Sequence, residues 1–256
     1  MSSQSRVTAG LLVIGDEILS GRTKDVNIGA VADFCTDLGI DLTEVRVVSD
    51  VEESIVEAVN ALRARYTYVF TTGGIGPTHD DITADAIAKA FGVALPINAQ
   101  AREMLEARWK QTGTEVNEAR LRMARIPEGA DLIVNSVSAA PGFRIGNVHV
   151  MAGVPVIMRA MLEALAPTLK GSKKVLSVTV KAAVGEGTVG GPLAALQEQY
   201  PDVKMGSYPQ MGGDRVMTEL VLRCADEALL AEAAEKVRAM VDAAHAKAGI
   251  APPDAQ

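Results

Sequence analysis

The stretch Thr71-Thr72-Gly73-Gly74-Ile75-Gly76-Pro77-Thr78-His79-Asp80-Asp81-Ile82-Thr83 joins a glycine turn to paired carboxylates directly after the apolar run Tyr68-Val69-Phe70. Glycines accept backbone conformations closed to other residues and leave their N–H groups uncovered, so an anionic oxygen can approach closely. Beyond the turn, Ile82, Ala86, Ile87, Ala90 and Phe91 recur at the spacing of a helix packed on a sheet. A helix start adds free N–H donors of its own. Of the two carboxylates, one of Asp80 and Asp81 can cap that helix while the other faces a ligand hydroxyl or a divalent cation bridged to phosphate. A plain tight turn with a helix cap fits the same residues, and both readings stand at this point. The pattern is neither Gly-x-Gly-x-x-Gly nor a P-loop, because no Gly-Lys-Ser/Thr follows.

Other acidic groups follow other apolar runs. Gly15-Asp16-Glu17 closes the run Thr8 to Ile14, and Ser49-Asp50 closes Leu42 to Val48, where either residue can cap the next helix. Helical spacing recurs over Val26 to Leu38 and through Ile55, Val59 and Leu62. Three successive βα units imply a sheet with helices on both faces, whose ligand sites lie beyond the C-terminal strand ends. There Asp16, Glu17, Asp50, Asp80 and Asp81 would share one rim. Crowded carboxylates raise each other's pKa or recruit a cation, and magnesium suits all-oxygen ligands met together with phosphate. In that arrangement Asp81 contacts metal or a ligand hydroxyl, Asp16 or Glu17 supplies a second carboxylate, and Gly74 and Gly76 offer N–H groups to phosphate. Individually, Asp16 and Asp50 also read as residues that cap helices or end strands. His79 on the turn suits general-base chemistry near neutral pH or a phosphate contact, and it reads equally well as a solvated side chain.

Farther along, Asn98 to Met123 is helix-rich with a break near Gly113, and Trp109 reads as core because Leu105 lies one turn away. Asp131 to Val134 and Val148 to Met151 read as strands, separated by a small-residue stretch, Asn135 to Gly146, that is either a loop over a ligand or a long hairpin. Pro155 opens another helix. Pro167 to Lys174 reads as a linker between a domain at 6–168 and a small α+β domain at 173–249. That second domain is expected as strand 175–182, glycine turn 185–191, helix 191–199, strands 203–209 and 216–224, and a helix over 226–247. Its Gly187 to Pro192 reads as a phosphate-loop mimic or as a bend before the helix.

The chain has 256 residues, 48% of them hydrophobic and 22% charged, with a formal net charge of -7. This is the composition of a globular protein, and its acidity disfavours nucleic acid as a partner. Cys35 and Cys224 stand far apart and read as structural thiols, while three histidines do not make a histidine-rich zinc centre. Met1 to Val7 lacks the apolar core of a signal peptide and no run is long enough to span a membrane, so a cytoplasmic protein without a membrane partner is expected.

Gly15-Asp16-Glu17-Ile18-Leu19-Ser20-Gly21, with Asp25 and Asn27, and the motif Thr72 to Thr83 resemble the molybdopterin-binding domain family. Within it, the resemblance is to the N-terminal part of the competence/damage-inducible protein A group, and it continues through Asn135, Ala140-Pro141-Gly142-Phe143 and Gly153-Val154-Pro155. It implies a three-layer α/β/α domain with a mixed sheet, followed by that group's small second domain, in a homo-oligomer. It also implies a phosphate-containing small molecule, a molybdopterin or a nucleotide, as ligand. The competence group further implies divalent-metal-dependent cleavage of pyrophosphates such as ADP-ribose or FAD. Asp81 is then the leading catalytic carboxylate, with Asp16, Glu17 and His79 beside it and Asp16 and Asp81 holding the metal. Gly73, Gly74, Gly76, Thr78, Asp80, Thr83, Asp50, Asn135, Pro141 and Gly142 fall among the ligand-binding positions. A non-catalytic binding protein and an assembly or regulatory module are the alternative roles. The nicotinamide-nucleotide amidase activity of such proteins is not expected, because the resemblance stops short of that domain. Two departures lie near the pocket: Asn135-Ser136-Val137 lacks a Pro-x-Gly after asparagine, and Met151-Ala152-Gly153 stands for the usual Met-Pro-Gly.

Overall fold

The computed structural model describes residues 6–210 and 216–251, so Met1 to Ser5 of the N-terminal stretch lie outside the described residues. The chain divides into two compact units, Met1–Ser172 and Lys173–Gln256.

In the first unit, β1 (Thr8–Ile14) is apolar without alternation because both its faces are covered. Leu12 and Ile14 enter one core, and Leu11 and Val13 enter the other. After the short α1 (Asp16–Leu19), α2 (Asn27–Asp37) crosses to β2 (Asp41–Val48) and buries Val31 and Cys35 on one side of the sheet. Next, α3 (Glu52–Arg65) crosses to β3 (Tyr68–Thr72) and buries Ile55, Val59 and Leu62 on the other side. The chain thus leaves β1 toward β2 and returns on its opposite edge at β3, both parallel to β1. That reversal opens a crevice beyond the C-terminal ends of β1 and β3.

The α3 side is completed by α4 (Thr83–Phe91) and α5 (Ala99–Thr112), whose Leu105 and Trp109 are core residues as expected. After α6 (Glu118–Leu121) and a 3-10 turn over Arg122–Ala124 come β4 (Asp131–Ile133), β5 (Gly142–Ile145) and β6 (Val148–Met151). With α7 (Pro155–Leu165) packed beside α2, the sheet runs β2-β1-β3-β6-β5-β4, and only its β4-β5-β6 half contains antiparallel pairs. This is the expected three-layer α/β/α arrangement with a mixed sheet. The Asn135 to Gly146 stretch is shorter as a loop than the sequence suggested, because Gly142–Ile145 pairs with strands on both sides.

The second unit orders β7 (Leu176–Ala182), α8 (Glu186–Gln199), β8 (Lys204–Gln210), β9 (Met217–Cys224) and α9 (Glu227–Ala248) into an antiparallel sheet β7-β9-β8 with its own core. One expectation fails here. Gly187 to Pro192 is neither a glycine turn nor a phosphate loop but the first half of α8, held by burial of Val189 and Leu193. Both cysteines are buried and free, and burial pushes the Cys35 thiol up to about 12, which makes it inert near neutral pH. Among the described residues no helix is long and apolar enough to cross a membrane.

Candidate functional site

The glycine turn closes the crevice at the end of β3. Gly73 N–H continues the ladder to Met151 O at 3.2 Å, and Gly15 N–H does the same to Val48 O at 3.1 Å. Gly73 and Gly74 then take φ values of 105° and 66°. A Cβ on Gly73 would collide with the Ile14 carbonyl oxygen, and one on Gly74 with the Thr83 hydroxyl. Thr83 is fully buried and donates to Gly73 O at 2.9 Å, while its N–H donates to Gly74 O at 3.0 Å. Ile75 packs against both cores. The turn is therefore rigid, and the N–H groups of Gly74, Ile75 and Gly76 have no acceptor among the described residues.

Asp81 does not cap α4, and neither does Asp80. The helix starts at Thr83 with no side-chain cap, because Asp81 Oδ2 instead accepts from Thr78 N–H at 2.8 Å and Thr78 Oγ1 at 2.5 Å. That bond folds the Asp81 carboxylate back over Gly76, where a Cβ would lie only 2.6 Å from Oδ2. Asp50 likewise leaves α3 uncapped and accepts from Asp16 N–H at 2.9 Å. Burial holds the Asp50 carboxyl above the usual range, opposed by the Asp16 hydrogen bond and reinforced by the negative charges of Asp16, Glu17 and Asp80. Asp16, Glu17 and Asp80 thus all act on Asp50. Asp81 instead lines a narrow crevice on the α4 side. His79 is almost wholly exposed, its Nδ1 4.0 Å from Asp80 Oδ1.

Two arginines that the sequence reading passed over enter this α4-side crevice. Arg122 and Arg125 line it together with Gly74, Gly76, Asp81 and Pro141. Arg125 is held in a two-point ion pair with Asp85, at 2.9 and 2.5 Å. Arg122 donates from Nη2 to Asp81 O at 3.2 Å, its Nε is buried without a partner, and no carboxylate pairs with it among the described residues. A three-residue 3-10 turn gives no periodic signal, so only the Arg-x-x-Arg spacing itself could have drawn attention to them.

Asn135 organises its own loop. Its Oδ1 accepts from Val137 N–H and Ser138 N–H, and its Nδ2 donates to Ala140 O at 2.6 Å. This holds Ala139 at φ 62° and delivers Pro141 to the crevice. Gly142 is needed for strand packing, since a Cβ there would strike the Val150 carbonyl oxygen. Among the described residues no three carboxylates, histidines or cysteines form a ready cation cage. Magnesium held by one or two carboxylates together with phosphate needs no such cage.

Comparison with known proteins bears on the family and the fold. Residues 10–171 match the family model described as probable molybdopterin binding domain, and residues 174–248 match that of the FAD synthase middle domain. A protein from Pyrobaculum calidifontis is 35% identical over 215 residues, covering 79% of this chain and 81% of its own. A CinA-like protein from Citrifermentans bemidjiense is 40% identical over 166 residues, 63% of this chain but only 40% of that longer protein. The crystal structure of CinA from Thermoplasma acidophilum, described as of unknown function, superposes with a TM-score of 0.59 at 33% identity, covering 64% of this chain and 98% of that one. The chain belongs to the probable molybdopterin binding domain family, in its CinA-like group, with a second unit matching the FAD synthase middle domain.

Proposed function

We propose that the α4-side crevice binds the phosphate of a pterin or nucleotide. The observation that carries this reading is the meeting of unfilled donors: the free N–H groups of Gly74, Ile75 and Gly76 and the Arg122 guanidinium, which has no carboxylate partner among the described residues. Backbone N–H groups in a rigid turn need no reorganisation to meet an anion, and a guanidinium adds charge and fixed hydrogen-bond directions. Asp81, hydrogen-bonded to Thr78, is poised to accept from a ligand hydroxyl or water. Membership of the probable molybdopterin binding domain family supports the same ligand class.

A second reading adds hydrolysis of a dinucleotide pyrophosphate such as ADP-ribose or FAD. The crowding of Asp16, Glu17 and Asp80 on Asp50 favours it, because a divalent cation would relieve that repulsion. Asp50 and Asp16 are the carboxylates that would hold such a cation, which would supply charge neutralisation for phosphoryl oxygens. Asp81 then orients water, and His79, beside it on the turn, is the candidate proton carrier.

Calorimetry with AMP, ADP-ribose and FAD tests both readings. Arg122→Ala is expected to weaken binding by roughly 10- to 100-fold, the loss of a charge-assisted contact. If its affinity matches wild type, the phosphate does not sit there. Release of nucleoside monophosphate with magnesium or manganese, abolished in a folded Asp81→Asn variant, supports hydrolysis. Binding without product leaves the protein as a binder.

A further inference from the structure

One of the two arginines in the α4-side crevice arrives there already neutralised. Arg125 Nη1 and Nη2 donate to the two carboxylate oxygens of Asp85 at 2.9 and 2.5 Å, and the paired side chains are only 25% and 32% exposed. Asp85 is the third residue of α4 and the acidic residue of its first turn, where the helix N-terminus favours a negative charge. Arg125 is placed by its backbone, whose N–H donates to Arg122 O at 3.0 Å and which bridges Ile97. Its Nε is buried without a partner, so the ion pair does not use up its donors.

Among the described residues the charged side chains lining the crevice are Asp81, Arg122 and Arg125. With Asp85 counted beside Arg125, the formal charges cancel. An anion seated there meets backbone N–H groups and one guanidinium without a carboxylate partner, that of Arg122. A second negative charge on that anion finds no second free cation, and its repulsion from Asp81 and Asp85 grows in proportion. We infer that Asp85 is a positioning residue that sets specificity: by holding Arg125 it fits the crevice to a phosphate with one negative charge, esterified on two sides, over a terminal phosphate with two. This rests on the phosphate reading and names the charge state that suits it. The same ion pair could serve only as a clip that docks the Arg122–Ala124 turn on α4. A clip loses binding whichever partner is removed, whereas charge control gives the two partners opposite signs.

Two probes that differ by one charge decide between them. Ribose 5-phosphate carries two negative charges at about pH 8, because the second pKa of a phosphate monoester is about 6, and its phosphate methyl ester carries one. Calorimetry at low salt is expected to show wild type binding the ester at least as tightly as ribose 5-phosphate. Asp85→Asn should strengthen the ester about threefold and ribose 5-phosphate about tenfold, since the Coulomb energy doubles with the charge. Arg125→Gln, which leaves Asp85 unpaired, should weaken the two probes by the same factors, and the double variant should return both to within about twofold of wild type. Raising the salt should shrink every one of these changes. Asp85→Ser, equally neutral, repeats the measurement if the asparagine variant does not melt as a folded protein. Weaker binding in a folded neutral variant at Asp85, or equal changes for the two probes, overturns the inference. If Arg122→Ala weakens neither probe, the phosphate reading fails and the inference falls with it; if Arg122→Ala weakens both while neutralising Asp85 changes nothing, the inference alone is overturned.

Discussion

His149 shows how one buried ionisable side chain sets a condition for the whole fold. It stands in β6 at 1% exposure, with Nδ1 3.4 Å from Val69 O and its ring beside those of Tyr68 and Phe70. Burial holds its pKa down at about 4, against an ordinary 6.5, with nearby Arg144 acting in the same direction. The folded chain therefore keeps it neutral where the unfolded chain would take up a proton. Its contribution is full above pH 6.5 and is lost as pH falls from there toward 4. Between pH 7.5 and 5 the loss is about 2 kcal/mol. Urea denaturation of wild type and His149→Phe across that range checks it. The wild type should lose about 2 kcal/mol more than the variant, and parallel pH profiles would remove His149 as the cause. A strand residue that is polar by type and core by position gives no warning in the sequence of how far its pKa has moved.

At the scale of elements, the β3-turn-α4 unit depends on glycine at one position more than on any single contact. Gly73→Ala would force an L residue to φ 105° and drive its Cβ into the Ile14 carbonyl oxygen. A cost of at least about 2 kcal/mol is expected, with Tm lowered by roughly 4–8 °C. Gly29→Ala is the control: it lies inside α2, with open space around a new Cβ. There alanine should stabilise by about 0.5–1 kcal/mol. If the two substitutions cost the same in a thermal melt, the turn is not locked as described. This turn, the three βα units and the acidic strand ends were legible in the sequence because glycine punctuation and period-3.6 apolar spacing are local signals. The helix caps were not. Asp50 and Asp81 have cap-like positions, but Asp16 N–H and Thr78 offer them better partners once the strands align. In α8, packing of Val189 and Leu193 overrides three glycines and Pro192, and β5 is only four residues long beside a small-residue loop. Arg122 is not legible in the sequence because its one side-chain hydrogen bond among the described residues reaches back 41 residues to Asp81, a contact only the tertiary fold creates.

The whole molecule carries separate cores, and they divide cleanly along the chain. The two cores of the first unit end at Leu169, and the core of the second begins at Leu176. Between them Ser172 still belongs to the first unit: its N–H donates to Gly39 O at 3.0 Å and its hydroxyl to the same oxygen at 2.6 Å, while Gly171 packs on the Leu38 carbonyl. Each residue proposed to bind phosphate lies before that point. A chain stopped after Ser172 should therefore fold cooperatively and keep its affinity for ribose 5-phosphate within about threefold of the full chain, because it retains both cores of the first unit. Stopping after Leu169 instead removes the Ser172 bonds and the Gly171 contact, and should lower Tm by a few degrees, for a loss of about 1–2 kcal/mol. Circular dichroism melts and calorimetry on the two fragments decide this. A Ser172 fragment that melts without cooperativity, or that loses the phosphate, would mean that the second unit completes the first.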